Sequence, residues 1–190
     1  MSAAPRKPLS PEEYLKAERL AEFKSEYIAG EAFAMAGAKR NHNHLSGNIY
    51  SQLRTLMPNG ACEVFISEMR VSPNHDNYYY PDVAVACSKI KFLDNNKDTL
   101  LNPIVIVEVL SPSTATFDRG SKFFAYRQMP SLQDYILVSQ DRVLIEHHAR
   151  QPDGSWLLRE YRQLSDLLRL DSLDISIPLT AIYERVEFEA

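Results

Sequence analysis

The clearest run of hydrophobic positions lies between Ile104 and Leu110, where Val, Ile and Leu fill every position but one. Such an uninterrupted apolar run is typical of a strand that is buried on both faces of a sheet. The exception is Glu108, which alternation places on one face with Ile106, while the three valines point to the other face. Because an isolated ionised carboxylate is costly in apolar surroundings, we expect a cation, hydrogen-bond donors or a proton to meet it.

A helical pattern follows this strand after a loop at residues 111–114. It predicts a helix from Phe117 to Met129, in which Asp118, Lys122 and Tyr126 recur every four residues and share one face. A strand carboxylate followed by a helix that presents an ammonium group can hold a metal ion and an anion. The same spacing is also typical of an exposed Asp118–Lys122 ion pair, which contributes only a few tenths of a kcal/mol.

The pattern predicts further helices and strands on both sides of this segment. A capping box with proline at the first helical position predicts a short helix from Ser10 to about Arg19. Two short strands around Gly30 predict a hairpin within residues 25–35. The other predicted elements are a helix with apolar positions Leu45, Ile49, Leu53 and Leu56, strands at Glu63–Val71, Tyr78–Cys87 and Tyr135–Val138, an exposed loop at 88–102, and a hairpin of Val143–His148 and Trp156–Tyr161.

A second acid opens one of these strands, since Asp82 follows Pro81 and precedes the apolar residues 83–86. An aspartate at a strand start is more often a turn or capping residue when it stands alone. Here the strands of Asp82 and Glu108 are expected to pair, and two carboxylates on adjacent strands can bind a hard divalent cation. We therefore predict Asp82 and Glu108 as ligands of Mg²⁺, for which Mn²⁺ is a possible substitute.

Composition and charge narrow the class of protein. The chain has 190 residues, 45% of them hydrophobic, which suits a single domain spanning residues 1–190. A net charge of -4 argues mildly against coating nucleic acid by overall attraction, and it leaves room for a local basic cleft. Cys62 and Cys87 belong to no metal-binding motif, and we interpret them as core thiols in a reducing cytoplasm.

The same sequence predicts a cytoplasmic protein with no membrane partner. No apolar run reaches the roughly 18 residues of a membrane span. The segment Met1–Pro8 lacks the apolar stretch of a signal peptide.

Other polar residues are weaker candidates for a site. Glu26 and Glu31 flank the turn of the first predicted hairpin, where a solvated carboxylate is the simpler interpretation. His42 follows Lys39 and Arg40 at the start of a predicted helix, where unpaired N–H groups favour an anion such as phosphate. An ordinary polar loop would have the same composition.

The order helix, strand, strand, strand, helix, strand in the middle of the chain resembles the core of the PD-(D/E)XK nuclease superfamily. An ordered set of motifs over roughly residues 10–165 is similar to the Uma family of restriction endonucleases. The motifs are Ser25-Glu26-Tyr27 with Gly30-Glu31, Met35-Ala36-Gly37-Ala38, His42-Asn43, Pro81-Asp82-Val83-Ala84, Glu108 to Thr114, Asp118, Lys122, Tyr126 and Asp134-Tyr135.

The resemblance implies a restriction-endonuclease-like fold of the α/β (α+β) class. In that fold, helices flank a central mixed β-sheet, and this chain would add strands at both termini. It also implies a metal-dependent endonuclease that hydrolyses DNA phosphodiester bonds with an activated water at Asp82, Glu108 and Lys122. The alternatives are a catalytically silent nucleic-acid-binding or interaction module on the same scaffold, or a nuclease that acts on RNA. A homodimer would bring two centres to a duplex.

One position departs from the superfamily pattern, because Leu110 occupies the place of the lysine two residues after the acid. The resemblance implies that Lys122 supplies the amine from the following helix and that Asp118 holds it in place. It further implies an early acid near the metal, for which Glu31 is the first candidate and Glu26 the second. His42 would contact phosphate or support the site.

Overall fold

The computed structural model describes residues 8–57 and 60–188. The segment Met1–Pro8, whose sequence predicts no signal peptide, therefore lies outside the described residues apart from Pro8. The helices are α1 (Pro11–Glu18), α2 (Arg40–Leu56), α3 (Ala115–Phe117), α4 (Phe123–Tyr126) and α5 (Leu179–Ile182), with a π-helix at Asp118–Lys122 between α3 and α4. The strands are β1 (Ser25–Ile28), β2 (Glu31–Ala34), β3 (Cys62–Ile66), β4 (Arg70–Val71), β5 (Asn77–Tyr78), β6 (Val83–Cys87), β7 (Thr99–Leu100), β8 (Val105–Leu110), β9 (Asp134–Ser139), β10 (Ile145–Arg150), β11 (Trp156–Tyr161), β12 (Leu167–Leu170) and β13 (Ile175–Pro178). Within these ranges, none of the helices is both long enough and apolar enough to cross a bilayer.

A six-stranded sheet forms the centre of the fold, with the order β11-β10-β9-β8-β6-β3. Strands β8 and β9 are parallel, and the other neighbouring pairs are antiparallel. Smaller sheets are β2-β1-β5, β4-β7 and β12-β13. The mixed central sheet with flanking helices confirms the predicted fold class.

The two faces of β8 pack against different helices, as its apolar pattern predicts. The three valines of the strand lie in one core cluster with residues of α2 and α5. Ile106 and Leu110 lie in a second cluster with Tyr126 at the end of α4. All six residues of β8 are buried, so Glu108 is enclosed on the face of the sheet that carries the π-helix.

Local sequence signals explain the N-terminal elements. The Ser10 side chain accepts a hydrogen bond from Glu13 N at 3.2 Å, and the Glu13 carboxylate accepts one from Ser10 N at 2.8 Å, which confirms the capping box. The predicted hairpin is also present as β1 and β2, and its turn uses positive φ angles at Ala29 (46°) and Gly30 (98°). Strand β1 pairs with β5 on its other side, so it is the inner strand of the small sheet.

The predicted strands at 63–71 and 78–87 are broken in the structure. Ser67, with φ at 52°, follows β3, and the chain restarts as the short strands β4 and β5 before β6. The exposed loop predicted at 88–102 is wrong in its last part, since Thr99 and Leu100 are fully buried in β7 and pair with β4. The buried Arg70 explains this, because its Nε donates to Thr99 Oγ1 at 3.1 Å.

The interpretation of both cysteines as free thiols is wrong. Cys62 and Cys87 face each other in the antiparallel β3–β6 register, and they are joined by a disulfide. The sequence shows that both lie in strands, but it does not show the register that brings residues 25 positions apart into contact.

Candidate active site

A buried ammonium group lies where carboxylates from three elements meet. Lys122 Nζ is 2.8 Å from Glu108 Oε1, 3.0 Å from Glu26 Oε1 and 3.7 Å from Asp118 Oδ1. Lys122, Glu108 and Asp118 are all buried. The alternative of an exposed Asp118–Lys122 pair is therefore wrong, because both side chains point into the molecule.

The π-helix presents two of these groups. Asp118 and Lys122 are its first and last residues, and both face inward. The Tyr135 hydroxyl from β9 donates to the backbone carbonyl of Asp118 at 2.9 Å, which anchors the π-helix to the central sheet. π-Helical turns are rare in proteins, and those that occur often lie at functional sites. The predicted helix at Phe117–Met129 is present from Ala115 to Tyr126, but its spacing gives no sign of the π-helical centre.

Glu26 is the early acid that reaches this centre. Its Oε1 accepts a hydrogen bond from Tyr80 N at 3.1 Å, just before Pro81 and Asp82, and also contacts the Lys122 ammonium. Glu31, the first candidate for this role, is instead exposed in β2, an outer strand of its sheet. The inner strand β1 is packed between its neighbours, and the structure brings its glutamate to the site.

Asp82 lies immediately before β6 and is held by α2 and β8. Its Oδ1 is 2.6 Å from His42 Nε2 and 3.3 Å from Ser46 Oγ, two side chains one turn apart on α2. Its Oδ2 accepts a hydrogen bond from Val109 N at 2.7 Å. Since Val83 pairs with Val107, Asp82 precedes β6 at the level of Glu108 on the adjacent strand.

Three further residues at the centre are not among the site residues that the sequence predicts. Ser46 lies four residues after His42, a helical spacing that would have indicated it. The Tyr79 ring is 5.5 Å from Lys122 Nζ in a cation–π arrangement. The Tyr126 hydroxyl is buried and has no hydrogen-bond partner among the described residues. Tyr126 shares a helix face with Lys122 and belongs to the family motifs, but these signals assign it no role in the site.

The electrostatics of the centre are dominated by burial and by an excess of acids. Burial raises the pKa of Glu108 well above its ordinary value, opposed by Lys122 and reinforced by the other carboxylates, including Asp82. Burial likewise raises the pKa of Asp118, again opposed by Lys122. For Lys122, burial lowers the pKa, but the neighbouring carboxylates, Glu108 first, outweigh it and raise the pKa. The amine is therefore protonated at neutral pH.

The donor set suits a hard, partly hydrated cation. Glu26, Glu108 and Asp118 supply three carboxylates around one ammonium group, and the Asp82 carboxylate is near enough to raise the pKa of Glu108. Glu108 Oε1 takes no hydrogen bond of good geometry within the described ranges, although it contacts Lys122. Mg²⁺ is commonly bound by one or two carboxylates and several waters. Within residues 8–57 and 60–188, no three His, Cys, Asp or Glu side chains are arranged as a ready-made metal site.

A solved structure shares this fold. It is a protein from Anabaena variabilis described as "a putative nuclease belonging to DUF820", and it matches with a TM-score of 0.76 over 93% of this chain and 98% of that chain. The two sequences are 18% identical, so the likeness is one of fold.

Two relatives from Synechocystis sp. are more similar in sequence. One, "Uncharacterized protein slr1290", is 39% identical over 98% of this chain and 97% of its own length. The other, "Uncharacterized protein sll1609", is 42% identical over 84% of this chain and 91% of its own length. The family model Uma2, described as "Putative restriction endonuclease", matches residues 11–180. The chain therefore belongs to the Uma2 family, as its motifs predict.

Proposed function

We propose that this protein is a Mg²⁺-dependent endonuclease that hydrolyses DNA phosphodiester bonds. The observation that carries the proposal is the buried ammonium of Lys122 among the carboxylates of Glu26, Glu108 and Asp118. The three carboxylates outnumber the single ammonium group, and an enclosed cluster with such an excess of acids favours a divalent cation. The family model is described as a restriction endonuclease and the matching solved structure as a nuclease, which supports the same function.

Asp82 and Glu108 would hold the metal ion. When bound, such an ion stabilises charge on phosphoryl oxygens and lowers the pKa of water. His42 and Ser46 fix one oxygen of Asp82, and Val109 N fixes the other, so the carboxylate is oriented before any ligand arrives. Such preorganisation lowers the cost of assembling the reacting groups.

Lys122 acts as a cation in this scheme. Because its pKa is raised, the amine keeps its proton, so it orients water and offsets charge on the phosphoryl group. Glu26 and Asp118 hold the ammonium in place from two sides. His42 is 20% exposed beside Asp82, and in this proposal its imidazole contacts a phosphate of the substrate.

Plasmid cleavage in the presence of Mg²⁺ or Mn²⁺ tests the proposal. The wild-type protein should nick or linearise supercoiled DNA, and Asp82→Asn, Glu108→Gln and Lys122→Met should each lower the rate by at least about 100-fold, in line with loss of a preorganised electrostatic group. Glu31→Gln is the matched control, because Glu31 is an exposed hairpin carboxylate outside the site. Cleavage that survives Asp82→Asn or Glu108→Gln would show that the centre lies elsewhere.

Titration calorimetry with Mg²⁺ gives a second measurement that does not depend on cleavage. The wild-type and Glu31→Gln proteins should bind the ion, and the Asp82→Asn and Glu108→Gln variants should not. A protein that binds DNA without binding the metal would be a catalytically silent module. If the protein cleaves an RNA of the same sequence in preference to DNA, the substrate is RNA and the proposed centre stands.

A further inference from the structure

The outward side of the segment that carries Lys122 has an exposed aromatic ring. Phe124 in α4 is 58% exposed, and the Arg127 guanidinium lies 4.6 Å from the centre of its ring. The cleft at this surface has a volume of about 420 Å³ and is lined by Arg119, Gly120, Ser121, Phe123, Phe124 and Arg127. These six residues are called the α4 patch below.

The charge of the α4 patch is positive, in contrast to the net charge of -4 of the whole chain. Arg119 is neutralised by Glu146, which its Nη2 contacts at 2.6 Å. Arg127 is exposed and has no carboxylate partner within the described part of the chain. Arg150 adds a second cation next to it, since its Nη2 donates to the Arg127 carbonyl at 2.7 Å.

A second aromatic–guanidinium pair adjoins the α4 patch, because the centre of the Trp156 ring lies 5.3 Å from that of the Phe123 ring. Arg150 lies 4.7 Å from the centre of the Trp156 ring, and this repeats the arrangement of Arg127 on Phe124. Exposed rings stack with bases, while arginine pairs with phosphate and also stacks on planar groups. A polyanion that carries planar aromatic groups is complementary to both features.

The exposed ring favours an unpaired nucleotide over a duplex, because the bases of a duplex are stacked on one another and offer no free face. The space over the π-helix is also open, since a Cβ added at Gly120 would have no neighbour within 4 Å. The Lys122 ammonium lies on the inner side of the same segment, so the two sides are separated by about one helix diameter, ~10–12 Å.

We propose that the α4 patch binds an unpaired nucleotide of the nucleic-acid substrate, with the base stacked on Phe124 and a phosphate paired with Arg127. This inference rests on the proposed function for the class of ligand. It assigns the substrate a single-stranded stretch or an extruded base.

The test measures binding without metal or cleavage. Fluorescence polarisation in EDTA compares a fluorescein-labelled single-stranded oligonucleotide with a blunt duplex of the same sequence. The single strand should bind more tightly, and Phe124→Ala should weaken its binding by on the order of 10-fold. Phe124→Trp keeps a stacking surface and should bind as the wild type does.

The salt dependence of binding separates the two contacts. Arg127→Ala should weaken binding and reduce the slope of log K against log salt by about 0.7, the value for one single-strand phosphate contact. Phe124→Ala should leave that slope unchanged.

Two matched controls are available on other surfaces. Phe33 on β2 is 49% exposed, and Arg54 on α2 lies 6.0 Å from the centre of the Tyr50 ring. Phe33→Ala and Arg54→Ala should therefore retain wild-type affinity.

The inference fails if Phe124→Ala binds the single strand as the wild type does, if the controls lose as much affinity, or if the wild-type protein prefers the duplex or binds neither. Plasmid cleavage by the wild-type protein in Mg²⁺ decides the proposed function separately. If the wild-type protein cleaves plasmid DNA and Phe124→Ala binds the single strand as tightly as the wild type does, only the proposed role of the α4 patch is overturned.

Discussion

Lys122 is the residue on which the charge balance of the centre depends. It is buried, and its ammonium group is the shared counterion of Glu26, Glu108 and Asp118. A buried ion pair is weak support for overall stability, but removing one partner leaves uncompensated charge in the interior. The effects of single substitutions here should therefore be large and should depend on pH.

Lys122→Met should lower the free energy of unfolding by about 3–5 kcal/mol at pH 7, because three carboxylates lose their common cation. Urea unfolding measures this change. Lys24→Met is the matched control, since Lys24 pairs with an exposed glutamate and should contribute less than about 1 kcal/mol. A Lys122→Met loss no larger than that of the control would contradict the role of Lys122 as the buried counterion.

Glu108→Gln should raise the melting temperature at neutral pH. The pKa of Glu108 in the folded protein lies above its ordinary value of 4.5, so the native state binds this proton more tightly than the unfolded state does. The stabilisation by this group is complete below the unfolded pKa and is lost as the pH rises through the folded pKa, and glutamine has no such proton to lose. Thermal unfolding between pH 4.5 and 8 should show a difference from wild type that grows with pH; a difference that stays flat or shrinks would count against this.

The sequence predicts some of the residues at the centre and not others. Glu108 and Asp82 were predictable because a carboxylate in or before an apolar strand needs a partner, although their catalytic roles stay predictions. The choice between Glu26 and Glu31 was not predictable, because it depends on which strand of the hairpin pairs with β5. The residues of the hairpin predict its two strands. Which strand becomes the inner one depends on pairing with β5, about fifty positions later in the chain.

At the scale of elements, the N-terminal hairpin is a structural support of the site, since β1 carries Glu26. Its turn depends on Gly30, which has φ at 98° and lies so close to Pro8 that an added Cβ would be 2.8 Å from the proline Cβ. A side chain at this position would meet both backbone strain and a steric clash.

Gly30→Ala should destabilise the protein by about 1–3 kcal/mol through this strain. Gly47→Ala is the contrasting change, because Gly47 lies inside α2 with open space around an added Cβ, and it should stabilise by about 0.5–1 kcal/mol. Urea unfolding of both variants measures the difference. Equal effects of the two changes would rule out the turn as the cause.

Elements with local signals were predictable, and those that depend on tertiary contacts were not. The capping box of α1 and the hairpin at Gly30 follow from a few adjacent residues. The π-helix was not predictable, since Asp118 and Lys122 at a spacing of four suit an α-helix equally well. The buried β7 was also missed, because it is held by Arg70 from a distant part of the chain.

For the whole molecule, the central sheet joins segments from across the chain, and the Cys62–Cys87 disulfide links two of its strands, β3 and β6. The fold class was predictable from the order of elements, whereas this cross-link was not. Strand pairing over 25 positions is a property of the assembled sheet.

Reduction of this disulfide should lower the free energy of unfolding by about 3 kcal/mol, because the link closes a loop in the unfolded chain. Urea unfolding with and without dithiothreitol measures the change. The Cys62→Ser/Cys87→Ser double variant should show no response to the reductant. Labelling of two thiols in the folded, unreduced protein would contradict the cross-link.

The hydrogen bond from Val109 N to Asp82 Oδ2 makes the Val109 amide sensitive to the position of the Asp82 carboxylate. This amide is satisfied by the Asp82 carboxylate at the end of the β6–β8 pairing, so its exchange with deuterium follows the position of that side chain. An Asp82→Ala substitution should speed exchange at Val109 far more than at Val107, which lies within the ladder. Amide NMR could thus follow the state of the carboxylate when no substrate or product is present.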